Sequence, residues 1–318
     1  MSHLTREQRY TICTMLQSGY PQCEIARVIN KDKSVVSREI HRNADARSGL
    51  YRDDLAHRKY LKRQAYKAKA RTFTPEVEAY VRDKLRLKYS PEQIAGVAKT
   101  NGDNCVSHER IYQFIWQDKR KKGTLYLDLR NRGRRYKKRS VIYDKRGTIP
   151  NRTDISQRPP EVELRERFGD LEIDLIIGKN HKGAILTIND RATGFGKLRK
   201  LDGKDAQQLA TATIDCLMDW KPFLKTITSD NGKEFAAHEL VAKQLNIDFF
   251  FAKPYASWQR GSNENYNRLV RQYIPKKVDF DCIPADYINF VEYQLNNRPR
   301  KRLGWLTPAQ VFSGKSLN

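Results

Sequence analysis

Closely spaced cysteines, a His–Cys cluster and a long apolar run are all missing from this sequence of 318 residues. Cys13, Cys23, Cys105, Cys216 and Cys282 lie far apart with no C-x-x-C pair, which excludes zinc knuckles and a disulfide framework. They read as small buried apolar groups in a reducing compartment. Without a run of 18 apolar residues there is no membrane span. The start, MSHLTREQRY, lacks the apolar stretch of a signal peptide, so the expected location is the cytoplasm.

Acid is also in short supply. There are 61 Lys and Arg against 37 Asp and Glu, a net charge of +24, and the excess is one-sided. Residues 1–165 carry 38 basic against 19 acidic groups, whereas residues 166–318 carry 23 against 18. A soluble surface does not need such asymmetry, so the first half is expected to contact a polyanion, nucleic acid above all.

Residues 1–60 read as a helical unit. Thr5 and Gln8 match a capping box before the apolar stripe Ile12, Met15 and Leu16, and Gly19 and Pro21 stop that helix. A short helix with Ile25, Ala26 and Ile29 follows. Ser34 is expected to cap a third helix carrying Val35, Val36 and Ile40. Helix, tight turn, helix is the helix-turn-helix arrangement. The opposite face shows Lys33, Ser34, Ser37, Arg38, His41 and Arg42, groups that read base edges and grip phosphates. A plain trihelical bundle with a solvated basic face is the competing reading.

Residues 61–118 form a second helical unit. Thr74-Pro75-Glu76 opens a helix with Val77, Tyr80, Val81 and Leu85, and Ser90-Pro91-Glu92-Gln93 opens another. Ser107 caps a third with Ile111, Tyr112, Ile115 and Trp116. Its exposed face is less basic, which leaves open whether this second candidate helix-turn-helix touches DNA. Residues 119–165 read as a basic linker. Within 119–139 there are 11 Lys and Arg, including Arg132, Arg134 and Arg135, against the single acid Asp128. That composition predicts an extended arm gaining order on a phosphate backbone, or a solvated linker.

From 166 to 318 the pattern becomes α/β. Strands are expected over 170–178, 183–189, 196–201, 224–229 and 248–251. Helices are expected from Asp205 to Leu217, before Leu245, over Asn263–Tyr273 and over Ala285–Leu295. A meander followed by alternating helix and strand implies a mixed sheet covered on both faces. Asp174 sits in the middle of the first strand, Asp230 ends the fourth in Thr228-Ser229-Asp230-Asn231-Gly232, and Glu264 lies in the first turn of a helix. A mid-strand acid is costly to bury unless paired or metal-bound. Hard carboxylate oxygens suit two Mg²⁺ or Mn²⁺ ions about 4 Å apart, which clamp the attacking and leaving oxygens of a phosphate. Asp170 and Glu172 share the strand face of Asp174, and Asp190 is a further candidate for a supporting acid. Asn267, Arg268 and Arg271 share the helix face of Glu264, with the two arginines suited to DNA phosphates. Trp258 reads equally as a DNA contact beside Arg260 or as a core anchor.

At these residues the sequence resembles the DDE transposases of the bacterial insertion-sequence-30 family. LTREQRYTI…EIARVINKDKSVVSREIHRN, YSPEQIAGV…VSHERIYQFIW, GDLEIDLIIG, ITSDNGKEF, WQRGSNEN…LVRQYIPK and LNNRPRKRLGWLTPAQVF occur in the family's order. The 33 residues between Asp230 and Glu264 fit its catalytic spacing. Leu171 and Ile173 depart from its usual aromatic and small residue without touching a ligand. The resemblance implies an RNase H-like, retroviral-integrase-like core with Asp174, Asp230 and Glu264 as ligands of two ions. It further implies binding to terminal inverted repeats of double-stranded DNA, strand cleavage and transfer to target DNA, a dimer or higher oligomer on DNA, and a place at the bacterial nucleoid. The rival from another class is a non-catalytic DNA-binding regulator that keeps the RNase H-like fold for dimerisation.

Overall fold

The computed structural model describes residues 3–66, 73–132, 149–254 and 256–316. The chain folds as two compact units, Met1–Arg71 and Thr72–Asn318. Among the described residues no helix is long and apolar enough to cross a membrane.

The first unit contains α1 (Arg6–Gln17), α2 (Gln22–Val28), α3 (Lys33–Asn43) and α4 (Asp53–Tyr66). The Thr5–Gln8 capping box forms as expected. The cap of α3 is not Ser34 but Asp32, whose carboxylate accepts from Ser34 N at 2.7 Å. An ionised carboxylate at the positive end of a helix is the stronger acceptor, so the helix starts two residues earlier. Ile12, Ile25, Ala26, Ile29, Val36, Tyr51 and Ala56 make the core. Helix α4 lacks a clear apolar stripe in the sequence; it packs on α1 through Ala56, and Arg9 stacks over its Tyr60 while pairing with Glu39 at 2.7 Å.

The second unit opens with α5 (Pro75–Arg86), α6 (Pro91–Asn101) and α7 (His108–Arg120), capped by Thr74, Ser90 and Ser107. The basic stretch after them is not an extended arm as far as Arg132. Lys119 and Arg120 finish α7, Leu125–Asp128 forms a 3-10 turn, and Leu129 is buried with Val77, Val81, Leu85, Ile111 and Ile115. Three apolar groups, Leu125, Tyr126 and Leu129, suffice to anchor a segment whose charge alone suggested solvent. Arg134 and Arg135 lie outside the described residues.

Six strands follow: β1 (Thr153–Asp154), β2 (Asp170–Ile177), β3 (Ala184–Asp190), β4 (Gly196–Leu201), β5 (Thr226–Ser229) and β6 (Asp248–Phe251). Their order is β1-β6-β5-β2-β3-β4, with β2-β3-β4 an antiparallel meander and β2-β5-β6-β1 parallel. An antiparallel meander flanked by parallel strands is the RNase H-like mixed sheet, with the short β1 as an added edge. Between the strands lie α8 (Glu161–Leu164), α9 (Ala206–Leu217) and α10 (His238–Leu245); α11 (Gly261–Tyr273), α12 (Ala285–Asn296) and α13 (Pro308–Ser316) end the chain.

Alternation along β2 divides its side chains between two cores. Leu171, Ile173 and Leu175 join Leu209, Leu217, Val241 and Leu245 of α9 and α10, while Ile176 joins Tyr266, Leu269, Val270 and Val291 of α11 and α12. Asp170, Glu172 and Asp174 therefore share the α11 side. At the far edge, Asn296 both accepts from Gly196 N and donates to Gly196 O, and Glu292 accepts from Leu198 N. Side chains of α12 thus occupy the edge of β4 that another strand would otherwise extend.

Helices α5–α7 are laced to the end of the chain. Arg298, 2% exposed, donates to Gln93 Oε1 at 3.1 Å and to Gln272 Oε1 at 2.8 Å. Gln272 of α11 donates in turn to Asp128 O at 2.7 Å, and Arg130 donates to Asn265 Oδ1 at 2.8 Å.

Candidate active site

Register brings the first two acids together. Asp170 pairs with Thr226 and Glu172 with Thr228 across the parallel β2–β5 ladder. Two residues further, the same spacing sets Asp174 level with Asp230, which lies just past the end of β5. Asp174 stands opposite Thr187 at the middle of β3, whereas Leu171 already faces the last residue, Asp190, so Asp170 lies beyond that strand.

The Asp174 side chain is 23% exposed; its Oδ1 accepts from Leu175 N at 2.8 Å and its Oδ2 from Asn267 Nδ2 at 3.0 Å. Asp230 is 28% exposed, and its Oδ1 accepts from Gly232 N at 3.0 Å. Between them lies the Arg260 guanidinium, 3.3 Å from Asp174 Oδ2 and 3.5 Å from Asp230 Oδ2. Burial pushes the Asp174 carboxyl up to about 6; the negative charge of Asp230 adds to the rise and Arg260 opposes it.

The other acids of this region have their oxygens committed to structure. Asp170 is forked by Arg167 and accepts from Thr226 Oγ1. Glu172 is fully buried, pairs with Arg191, and accepts at 2.8 Å from Asn263 N at the start of α11. Asp190 accepts from Thr193 N, Thr193 Oγ1 and Gly169 N. Asp174 is the member of the β2 trio whose carboxylate still reaches solvent.

Glu264 is placed differently. It is exposed in the first turn of α11, one turn before Asn267, and among the described residues no three His, Cys, Asp or Glu side chains converge as a ready metal cage. Asp174 and Asp230 still suit a hard cation. The guanidinium between them shows that the gap takes positive charge, and Mg²⁺ commonly uses one or two carboxylates with waters and substrate phosphates completing its shell.

Of the residues expected at DNA, Lys33, Ser34, Ser37, Arg38 and Arg42 are all exposed on one side of α3, with Arg38 donating back to Ser34. Arg268 is exposed on α11. Arg271 instead donates to Ile177 O at 2.9 Å and Pro275 O at 3.3 Å, tying the end of β2 to α11. Arg132 donates to Gln272 O. Trp258 is 75% exposed, so the core-anchor reading of it is wrong; the short turn Ser257–Arg260 carries the ring away from both cores. Sequence reasoning missed Asn263, buried against Thr187, and Arg152, which reaches Asn231 beside Asp230. Only the position of Asn263, beside the Glu264 turn, offered a signal.

A helix-turn-helix domain family matches residues 1–43. The transposase for insertion sequence element IS4351 of Bacteroides fragilis is 54% identical over 310 residues, spanning 98% of this chain and 95% of that protein. The transposase InsI for element IS30C of Escherichia coli K12 is 31% identical, spanning 98% of this chain and 84% of that one. Among solved structures, the catalytic core domain of BIV integrase aligns with a TM-score of 0.38 at 20% identity, covering 46% of this chain and 95% of that chain.

Proposed function

The chain belongs to the insertion-sequence-30 family of transposases, and we propose that it binds the terminal inverted repeats of its own element and cuts and rejoins DNA with Asp174, Asp230 and Glu264. The observation that carries this reading is the pair Asp174, in β2, and Asp230, just past the end of the neighbouring parallel β5, both partly exposed and both beside one guanidinium. In this reading the exposed face of α3, Lys33 to Arg42, grips the end sequence, and Arg268 meets phosphate near the carboxylates.

The three acids would hold two Mg²⁺ or Mn²⁺ ions, whose chemistry is to activate the attacking oxygen and stabilise the leaving one. Asn267 fixes the rotamer of Asp174 from α11, and the turn at Gly232 fixes Asp230. Glu172, by accepting at Asn263 N, sets the position of the helix that carries Glu264. Water attack on the phosphodiester breaks the P–O3′ bond and leaves a 3′-OH at the element end. That hydroxyl then attacks a target phosphate, forming one P–O3′ bond as another breaks. Two ends must be handled together, so the working form is a dimer or higher oligomer on DNA.

Strand transfer with end-containing DNA and Mg²⁺ tests the proposal. Asp230→Asn and Glu264→Gln are expected to bind ends as wild type does while losing joining by at least about a hundredfold. Joining at the wild-type rate by either variant would remove that residue from the mechanism.

A further inference from the structure

The bonding of Arg260 differs from that of the other buried arginines of the second unit. Arg191 makes direct bonds from all three donor nitrogens, to Val162 O, Glu172 and Glu163. Arg298 makes direct bonds to two glutamine side chains. Arg260 is 11% exposed, yet its guanidinium stands 3.3 and 3.5 Å from the two carboxylates, longer than the roughly 2.7–2.9 Å of a charge-assisted bond. It donates to Ile173 O at 3.2 Å, and its buried Nε has no hydrogen-bond partner. A structural clamp is bonded like Arg191. A charge that compensates two carboxylates without being built into the fold is bonded like Arg260.

Its place in the chain fits the same distinction. Arg260 ends the short turn Ser257–Arg260, after the exposed Trp258 and before Gly261, beside which there is open space. Arg260 keeps some exposure, 11%, whereas Arg191 is 1% exposed and bonded to α8 and β2.

We propose that Arg260 is the counter-cation of the ion-free site, neutralising Asp174 and Asp230 until a divalent ion displaces its guanidinium from between them. The inference deepens the reading of these two acids as ion ligands and rests on it. Guanidinium and ion compete for the same oxygens, Asp174 Oδ2 and Asp230 Oδ2. Arg260 is thus a positioning residue: it keeps the carboxylates side by side when no ion is bound, and it weakens ion binding by the fraction of time it occupies the gap. A guanidinium that filled the gap about nine-tenths of the time would weaken ion binding roughly tenfold, so its removal would restore that factor.

The test is Mn²⁺ binding to the full-length protein without DNA, followed by the electron paramagnetic resonance signal of free Mn²⁺. Arg260→Gln is expected to bind Mn²⁺ roughly tenfold more tightly than wild type, and Arg260→Lys by less, because the charge remains. The Mn²⁺-induced rise in melting temperature should be larger in Arg260→Gln as well, and Arg260→Lys serves as the second variant should the glutamine protein fold poorly. Asp230→Asn controls for the site. If it abolishes Mn²⁺ binding but Arg260→Gln binds no better than wild type, the counter-cation proposal fails alone. If Asp230→Asn binds Mn²⁺ as wild type does, the ligand assignment fails and takes the proposal with it.

Discussion

Asn267 donates from Nδ2 to Asp174 Oδ2 at 3.0 Å, joining the second turn of α11 to the centre of β2. The bond makes the rotamer of one carboxylate depend on the helix that also carries Glu264, so the two sides of the site move as one.

Asn267→Ala therefore should lower strand transfer by roughly tenfold to a hundredfold while changing stability by about 1 kcal/mol, since one half-buried hydrogen bond is lost. Denaturant melts alongside joining assays separate the two effects. A large loss of stability with proportional loss of joining would mean that Asn267 serves only the fold.

Asp174 yields a prediction with a definite sign. Its folded-state carboxyl lies at about 6, above its ordinary 3.8, so the native state binds the proton more readily than the unfolded chain. The ionised form is the costly one, and ion-free stability should rise as pH falls from above 6 towards 4. Asp174→Asn should then stabilise the ion-free protein at neutral pH by roughly 1–3 kcal/mol, the upper bound being discounted for its partial exposure, while abolishing joining. Unchanged or lower stability of this variant at pH 7.5 would contradict the assignment of burial as the dominant cause.

Glu172 gives a prediction from its ion pair. It is fully buried, paired with Arg191 and bonded to Asn263 N. Arg191→Ala leaves that charge uncompensated and should cost about 3–5 kcal/mol in urea unfolding. A loss below about 1 kcal/mol would show that the Arg191 pair does not hold Glu172 in place and reopen its candidacy as an ion ligand.

Gly96 and Arg298 test how α5–α7 are fastened to the rest of their unit. A Cβ on Gly96 would collide with the Trp305 indole, so Gly96→Ala should cost about 1–3 kcal/mol. Arg298→Ala, which frees Gln93 and Gln272, should speed amide exchange in α6 and α11 together. Faster exchange in only one of the two helices would show that the network is not shared.

Most of the helices and strands were legible because their signals depend on near neighbours. Thr5 with Gln8, Ser90 with Gln93, and Asp205 at the start of α9 are caps closed within three residues. Residues 119–132 were misread as an arm because charge density outweighed Leu125 and Leu129, whose burial depends on partners in α5 and α7. Helix α4 was hidden for a related reason: it is held by the buried Ala56 and by the Lys59 ammonium donating to Ala44 O rather than by an apolar stripe.

Alternation along β2 was enough, from the sequence alone, to put Asp170, Glu172 and Asp174 on one face, because side chains of a strand repeat every two residues. Choosing among them by exposure was a matter of tertiary structure. Arg167, Arg191 and Thr226 use up Asp170 and Glu172, and Arg191 and Thr226 come from strand ends that meet β2 only when the sheet assembles. The guanidinium of Arg260, 86 residues after Asp174, reaches the remaining pair for the same reason. Local spacing sets which residues can face a site; the register of distant strands and the charges they bring decide which of them are left open to do chemistry.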